Sequence, residues 1–304
     1  FVSNARTTLW AHQCATATYQ IIKSFGDKML KQRVITALIM FFVFVGMVFF
    51  APERVWFAGI ALLMAWAAAE WANLAKFSQW SKVLYVMVMP ILLALLWITF
   101  ARQNNPWVFS VIMLMSLAFW LLVVPTWLFM NWRVSNRWVL GLCGLLVLLP
   151  AGVCFLYIRQ SPAEGWFLLG LLFVVWIADT AAYFTGRAFG KHKLAPSISP
   201  GKTREGALGA WLAVTVYVAV FVLWLKPDGF ANLNVSVWQV LFIAFFLTYQ
   251  SIMGDLYESW LKRCAGVKDS GASLPGHGGI LDRIDAILPV LPLQIILLSW
   301  LSHG

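Results

Sequence analysis

Trp138-Val-Leu-Gly-Leu-Cys-Gly-Leu-Leu-Val-Leu-Leu-Pro-Ala-Gly-Val-Cys-Phe-Leu-Tyr-Ile158 is a run of 21 residues without a single charge. Coiled as a helix at 1.5 Å per residue it covers about 31 Å, the thickness of a bilayer's hydrocarbon core. It also lacks the two-residue alternation of an outer-membrane strand. The run therefore reads as a transmembrane helix. Comparable runs occupy 34–51, 55–74, 82–101, 107–130, 165–185, 206–225, 236–256 and 285–302. The chain is thus expected to be an all-α polytopic integral membrane protein with about nine transmembrane helices. The last run, with Pro289 and Pro292, is the least regular, and its start is open to a kink.

Composition agrees. Of 304 residues, 62% are hydrophobic and 11% are charged, against roughly 25% charged in soluble globular proteins. A soluble enzyme, a disordered chain and a disulfide-stapled secreted module are all excluded. The net charge of +10 would suggest nucleic acid in a soluble protein. In a membrane protein, orientation alone demands Lys and Arg in cytoplasmic loops, so no nucleic-acid partner is expected. Cys14, Cys143, Cys154 and Cys264 form no C-x-x-C pair and read as free thiols. The 18 Trp read as aromatic belts at the two membrane interfaces.

Charge also gives the orientation. With the N-terminus in the cytoplasm and nine alternating spans, the outer segments hold only Arg54, Arg102, Arg159 and Lys226 of the 22 Lys and Arg. The other eighteen lie inside, as the positive-inside rule requires. Residues 1–28 are mostly polar and lack the apolar region of a signal peptide. They read as an extension outside the fold, dispensable if translation begins at Met29, ahead of the basic anchor Lys31-Gln-Arg33. Residues 29–160 then form an N-terminal scaffold of about five helices. Residues 161–304 form a catalytic region of about four helices and two cytoplasmic loops.

The acids mark the site. Of 12 Asp and Glu, seven follow residue 178 on the expected inner side: Asp179, Glu205, Asp255, Glu258, Asp269, Asp282 and Asp285. A polar site is expected at the cytoplasmic face of the C-terminal half. Asp282 and Asp285 share a helix face, and Asp255 and Glu258 repeat that spacing. Carboxylates about 5 Å apart repel by about 3 kcal/mol per pair at an effective dielectric of about 20. A bound cation removes that cost, and oxygen-only ligands suit Mg²⁺ beside phosphates. Gly276, Gly278 and Gly279 let backbone N–H groups approach an anion, while Lys262, Arg263, Lys268 and Arg283 supply charge for phosphates. His277, between two glycines, is a second-tier candidate for a phosphate or base contact. Asp179 lies inside a span, about 9 Å from its cytoplasmic end, where an acid costs about 2.5–3.5 kcal/mol and is functional or paired by default.

A second inner loop contains Ser199-Pro-Gly-Lys202-Thr203-Arg-Glu-Gly206. Its Gly-Lys-Thr is not a P-loop, because Pro196 stands where the first glycine belongs and no strand precedes it. Lys202 and Thr203 at a helix start can still hold phosphate. Lys191 and Lys193 read as orientation signals and anionic-lipid contacts.

The stretch Ser259 to Asp285 resembles the signature of the phosphatidate cytidylyltransferase (CDP-diacylglycerol synthase) family. Ser259, Lys262-Arg263, Lys268-Asp269, His277-Gly278-Gly279 and Asp282-Arg283-x-Asp285 fill its fixed positions. The Ala178-Asp179-Thr180 segment and the Ser199–Thr203 loop look like other recurring segments of that family. The resemblance implies a Mg²⁺-dependent enzyme of the bacterial inner membrane, among membrane lipids, as a homodimer. It would make CDP-diacylglycerol and pyrophosphate from CTP and phosphatidic acid, with its active site facing the cytoplasm. Whether a second or monovalent cation takes part stays open. On this basis Asp255 and Asp282 are the first-choice metal ligands, with Asp285 and Asp179 next. Lys202, Arg263 and Arg283 are expected at phosphates, Ser199 and Thr203 as hydrogen-bond donors. Lys262, Lys268, Asp269, His277, Gly278 and Gly279 complete the expected substrate contacts. Asp282→Asn is expected to abolish turnover while the folded protein stays in the membrane. A transporter would instead carry charges near the midplane and often inverted repeats, neither of which the sequence shows. Other membrane transferases use different acidic arrangements, and a scaffold protein gives no reason for the acid–glycine–base cluster.

Overall fold

The computed structural model describes residues 34–103, 106–160, 164–225, 235–274 and 278–303. The expectations for residues 1–28 and for His277 lie outside the described residues. Among the described residues the long helices are α1 (Val34–Phe50), α2 (Glu53–Leu74), α3 (Gln79–Gln103) and α4 (Trp107–Phe129). There follow α5 (Arg137–Ile158), α6 (Gly165–Phe189), α7 (Arg204–Val222) and α8 (Val237–Ala265). The chain ends in the four-residue α9 (Leu281–Ile284) and then α10 (Ile287–His303). Helices α2 to α8 are long and apolar enough to cross a membrane, seven in all among the described residues. Helices α1 and α10 are apolar but shorter, and α10 has 17 residues. The expected span from residue 285 thus begins instead with α9 and a turn at Asp285–Ala286.

Local chemistry sets these boundaries. Asn136 caps α5 by accepting from the Trp138 N–H at 2.9 Å. Ser236 and Gln239 form a capping box on α8, which ends at Gly266 with Lys262 and Arg263 in its last turn. Helix α4 widens into a π turn at Phe119–Val123, just before Pro125, which has no N–H to offer the ladder. One feature departs from a purely helical reading. Strand β1 (Lys193–Ala195) pairs antiparallel with β2 (Ser199–Thr203), Lys193 opposite Thr203. Pro196 and Pro200 keep this segment out of a helix, and the two short strands form a hairpin between α6 and α7.

Helix α6 packs along α7, α7 against α8, and α10 against α5 and α8, while α2 packs on α3 and α5. Large apolar side chains on the outer surface, such as Leu62, Leu84, Leu114, Leu122 and Leu142, are exposed. A soluble protein would not tolerate so much apolar surface, whereas lipid tails cover it at no cost. The Trp are not all interfacial: Trp56, Trp71, Trp120, Trp127 and Trp260 are buried. Four of them, Trp71, Trp120, Trp127 and Trp260, together with Phe119, surround the ring of Tyr257 at centroid distances of 5.7–6.4 Å. This cluster wedges the end of α8 against α2 and α4. Arg159 is also not a solvated loop charge. Its guanidinium is buried, lies over the Trp56 ring and donates to the Val48 and Ala51 carbonyls at 2.9 and 2.5 Å, capping the end of α1.

Candidate active site

Helix α8 has 29 residues, about 44 Å of helix, longer than a core of roughly 30 Å. Spacings of three and four put Asp255, Glu258, Ser259 and Lys262 on one face of its last turns. The opposite face, with Tyr257, Trp260 and Leu261, is buried. Aromatic packing on one side thus presents a charged stripe on the other.

The stripe meets two partners. Lys262 pairs with Glu258 and, at 2.6 Å, with Asp282 Oδ1. Asp282 Oδ2 accepts from the Ser270 N–H at 3.0 Å and the Gly279 N–H at 2.9 Å. Burial opposes ionisation of Asp282, but the adjoining Glu258 and Lys262 side chains and the Gly279 N–H outweigh it and hold its carboxyl down at about 2. These three charged side chains are nearly buried, so their contacts form a closed knot rather than an open binding surface.

The second partner is more open. Lys202 Nζ lies 2.7 Å from Asp255 Oδ2, with about a quarter to a third of each side chain exposed. Ser259 Oγ donates to Asp255 Oδ1 at 3.2 Å. Asp179 on α6 and Asp285 on the α9–α10 turn act electrostatically on this pair. The hairpin delivers Lys202, and Thr203 fixes its base by capping α7, accepting from the Gly206 N–H at 3.1 Å. Helix α10 comes close at Gly254, where a Cβ would meet Pro289 Cγ at 2.9 Å and Ala286 Cα at 3.1 Å.

The other expected residues fall around these two groups. Ser199 is half-buried in β2, while Arg263, Lys268, Asp269 and Arg283 have exposed side chains. Gly278, at φ +80°, lies beside Asp282 and Asp269. His192 Nδ1 pairs with Glu205 Oε1 at 2.6 Å and steadies the hairpin. Two further acids take up roles that the sequence does not assign them. Glu258 is the carboxylate behind Lys262. Glu70, on α2, is buried and accepts from Ser270 Oγ at 2.8 Å, from the Ile280 N–H at 3.0 Å and from the Leu281 N–H at 2.9 Å. It also accepts from Ser273 Oγ. An acid inside an apolar span costs about 2.5–3.5 kcal/mol, a signal that marks Glu70 in the sequence as much as Asp179.

Among the described residues no three His, Cys, Asp or Glu side chains stand close enough to enclose a metal ion by themselves. Asp255, Asp179 and Asp285 near Lys202 offer carboxylate oxygens, the donor type of a hard cation that takes one or two carboxylates and completes its shell with phosphate oxygens and water.

The profile of the Cytidylyltransferase family matches residues 31–301. A phosphatidate cytidylyltransferase of Pseudomonas aeruginosa is 38% identical over 281 residues, 91% of this chain and 99% of that protein. One from Staphylococcus aureus is 35% identical over 276 residues, 88% of this chain and 99% of that protein. The enzyme of that name from Staphylococcus saprophyticus is 44% identical over 155 residues, 51% of this chain and 57% of its own length. The chain belongs to the Cytidylyltransferase family.

Proposed function

We propose that the chain transfers the cytidylyl group of CTP to phosphatidic acid, giving CDP-diacylglycerol and pyrophosphate. The observation that carries this reading is the Lys202–Asp255 pair. It lies where the hairpin, α6, α8 and the start of α10 converge, at the end of helices able to cross a membrane. A water-soluble nucleotide and a membrane-bound phosphate can meet only at such a boundary. Relatives alike over nearly their whole length carry the name of this activity.

The phosphate of phosphatidate needs little help from a general base near neutral pH. It attacks the CTP α-phosphorus in line, a P–O bond forms, and the bond to the β-phosphate breaks as pyrophosphate leaves. The difficulty is bringing two polyanions together. Lys202 meets incoming phosphates, the exposed Arg263, Lys268 and Arg283 add positive charge at the rim, and Ser199 and Thr203 flank Lys202 on the hairpin. Asp255 and Asp285 would hold Mg²⁺, with Asp179 beside them. When bound, the cation neutralises charge on the nucleotide phosphates and the departing pyrophosphate. Asp282 ranks behind Asp255 as a ligand, because its side chain is nearly buried where that of Asp255 is a third exposed, and its oxygens take three donors, Lys262, Ser270 and Gly279. Asp269, Gly278 and Gly279 then form the wall of the site beside Asp282, with His277 adjoining them in sequence.

The same reading puts the protein in a bacterial inner membrane as a homodimer, with the site facing the cytoplasm. The excess of Lys and Arg in the segments at that end supports this orientation. The test uses purified protein in detergent with phosphatidic acid and α-labelled CTP, with and without Mg²⁺. Metal-dependent appearance of lipid-soluble label together with pyrophosphate is expected. Folded protein that yields neither would overturn the reading.

A further inference from the structure

Glu70 belongs to the half of the chain that the sequence presents as scaffold, yet its contacts all run to the loop that carries the charged knot. Its Oε1 accepts from the Ile280 N–H and from Ser273 Oγ, and its Oε2 from the Leu281 N–H and Ser270 Oγ. Four donors on two oxygens fill a carboxylate's acceptor capacity. They come from both flanks of the loop and from the N-terminus of α9, which at four residues is too short to hold itself. The loop is shaped for this carboxylate. A Cβ on Gly271 would meet Glu70 Oε1 at 2.6 Å, and one on Gly279 would overlap Glu70 Oε2.

Beyond Leu281 the chain enters both charged groups. Asp282, the next residue, takes Lys262 and two loop amides. Three residues later, the Asp285–Ala286 backbone packs against α8 at Gly254, next to Asp255, which puts Asp285 within electrostatic reach of Asp255 and Lys202. The orientation of α9 therefore sets both groups, and Glu70 sets the orientation of α9. We propose that Glu70 is a positioning residue for the transfer reaction: it holds α9 so that Asp282 closes on Lys262 and Asp285 lies near the Lys202–Asp255 pair, without itself touching substrate. This role rests on the chain being a phosphatidate cytidylyltransferase.

The test compares the full-length wild type with Glu70→Gln, Ser270→Ala, the double variant, and Glu53→Gln, an exposed acid at the other end of α2. Two quantities are read: kcat and KM for CTP per folded molecule, and hydrogen exchange of the peptide spanning residues 278–284. A glutamine offers an N–H₂ to a backbone N–H and loses at least one of the two α9 bonds. Glu70→Gln is expected to lower kcat at least about tenfold while KM for CTP changes less than about threefold. Exchange at 278–284 should rise about tenfold or more. Adding Ser270→Ala should cost little further, because both changes break the same contact, and Glu53→Gln should match the wild type. Normal kcat in Glu70→Gln, unchanged exchange, or fully multiplicative losses in the double variant would each overturn the proposal. If Glu70→Gln does not fold, Ser270→Ala and Ser273→Ala each remove one bond and must show the same kcat-selective loss. A wild type with protected loop amides but no turnover of CTP would sink the functional reading alone, and exchange would then judge the anchor by itself.

Discussion

Lys262 joins helix α8 to α9, twenty residues further along the chain, its ammonium 2.6 Å from Asp282 Oδ1 with Glu258 against its other side. Asp282→Asn leaves Glu258 against Lys262, but it takes a charged acceptor away from Lys262 and from the Ser270 and Gly279 amides. Each buried donor left unmade costs about 1–3 kcal/mol. Asp282→Asn is therefore expected to do more than stop turnover. Its thermal unfolding in detergent should fall well below that of the wild type, and a variant of normal stability would show that the knot is not structural.

Acid should act on the same knot. The Asp282 carboxyl is held at about 2, below its ordinary 3.8. The folded form thus binds a proton less readily than the unfolded one, and Asp282 contributes stability that is fully present above pH 3.8. That contribution is lost as pH falls through about 2. Exchange of the Ser270 and Gly279 amides should stay slow at pH 5 and accelerate only below about 4. Acceleration near pH 6 would point to a different group.

At the open end of the stripe, Lys202 pairs with Asp255 and lies within electrostatic reach of Asp179 and Asp285. Lys202→Met is expected to lower kcat/KM about 100-fold or more, roughly 2.7 kcal/mol of lost transition-state stabilisation. Lys202→Arg should fall between, since a planar guanidinium keeps the charge but not the geometry. Steady-state rates at saturating and limiting CTP separate the two. A methionine variant with wild-type kcat/KM would remove Lys202 from the site.

Much of this was legible in the sequence because charge is scarce in it. Continuous apolar runs of about 20 residues have few other uses, so helices α2 to α8 follow from length alone. Acids three and four residues apart on α8 share a face wherever the helix lies. What lay hidden were contacts between distant positions. Glu70 and Ser270 are 200 residues apart, and no periodicity links them. Arg159 follows a span and counts as a loop charge until α1 is seen to end against it. The hairpin escaped because strands of three and five residues around two prolines carry no alternation to read.

Arg159 gives a contrast between stability and activity. It caps α1 at the end of the bundle opposite Glu70 and Asp179, donating to the Val48 and Ala51 carbonyls. Arg159→Leu leaves these buried acceptors without donors, at about 1–3 kcal/mol for each group left unmade. Unfolding should shift to markedly lower temperature while kcat per folded molecule stays near wild type. A kcat that fell in step with stability would mean that the two ends of the bundle are coupled.

Gly254 tests how finely the two sides of the site are set. A methyl group there would run into Pro289 Cγ at 2.9 Å, Ala286 Cα at 3.1 Å and, closer still, the Asp285 carbonyl oxygen. Two of those atoms are backbone, so α8 and the α9–α10 turn must part instead of a side chain turning aside. Overpacking of this kind costs about 1–3 kcal/mol, and the separation opens between Asp255 and Asp285, the carboxylates that would share the cation. Gly254→Ala is expected to lower kcat about tenfold or more even at temperatures where the variant is fully folded. Gly152→Ala is the control: its Cβ would meet the flexible side chains of Leu93 and Met64, each at 3.1 Å, within the N-terminal helices. That variant should lose some thermal stability and keep its turnover. Equal losses of kcat in both would mean that Gly254 reports general packing, not the spacing of the two carboxylates.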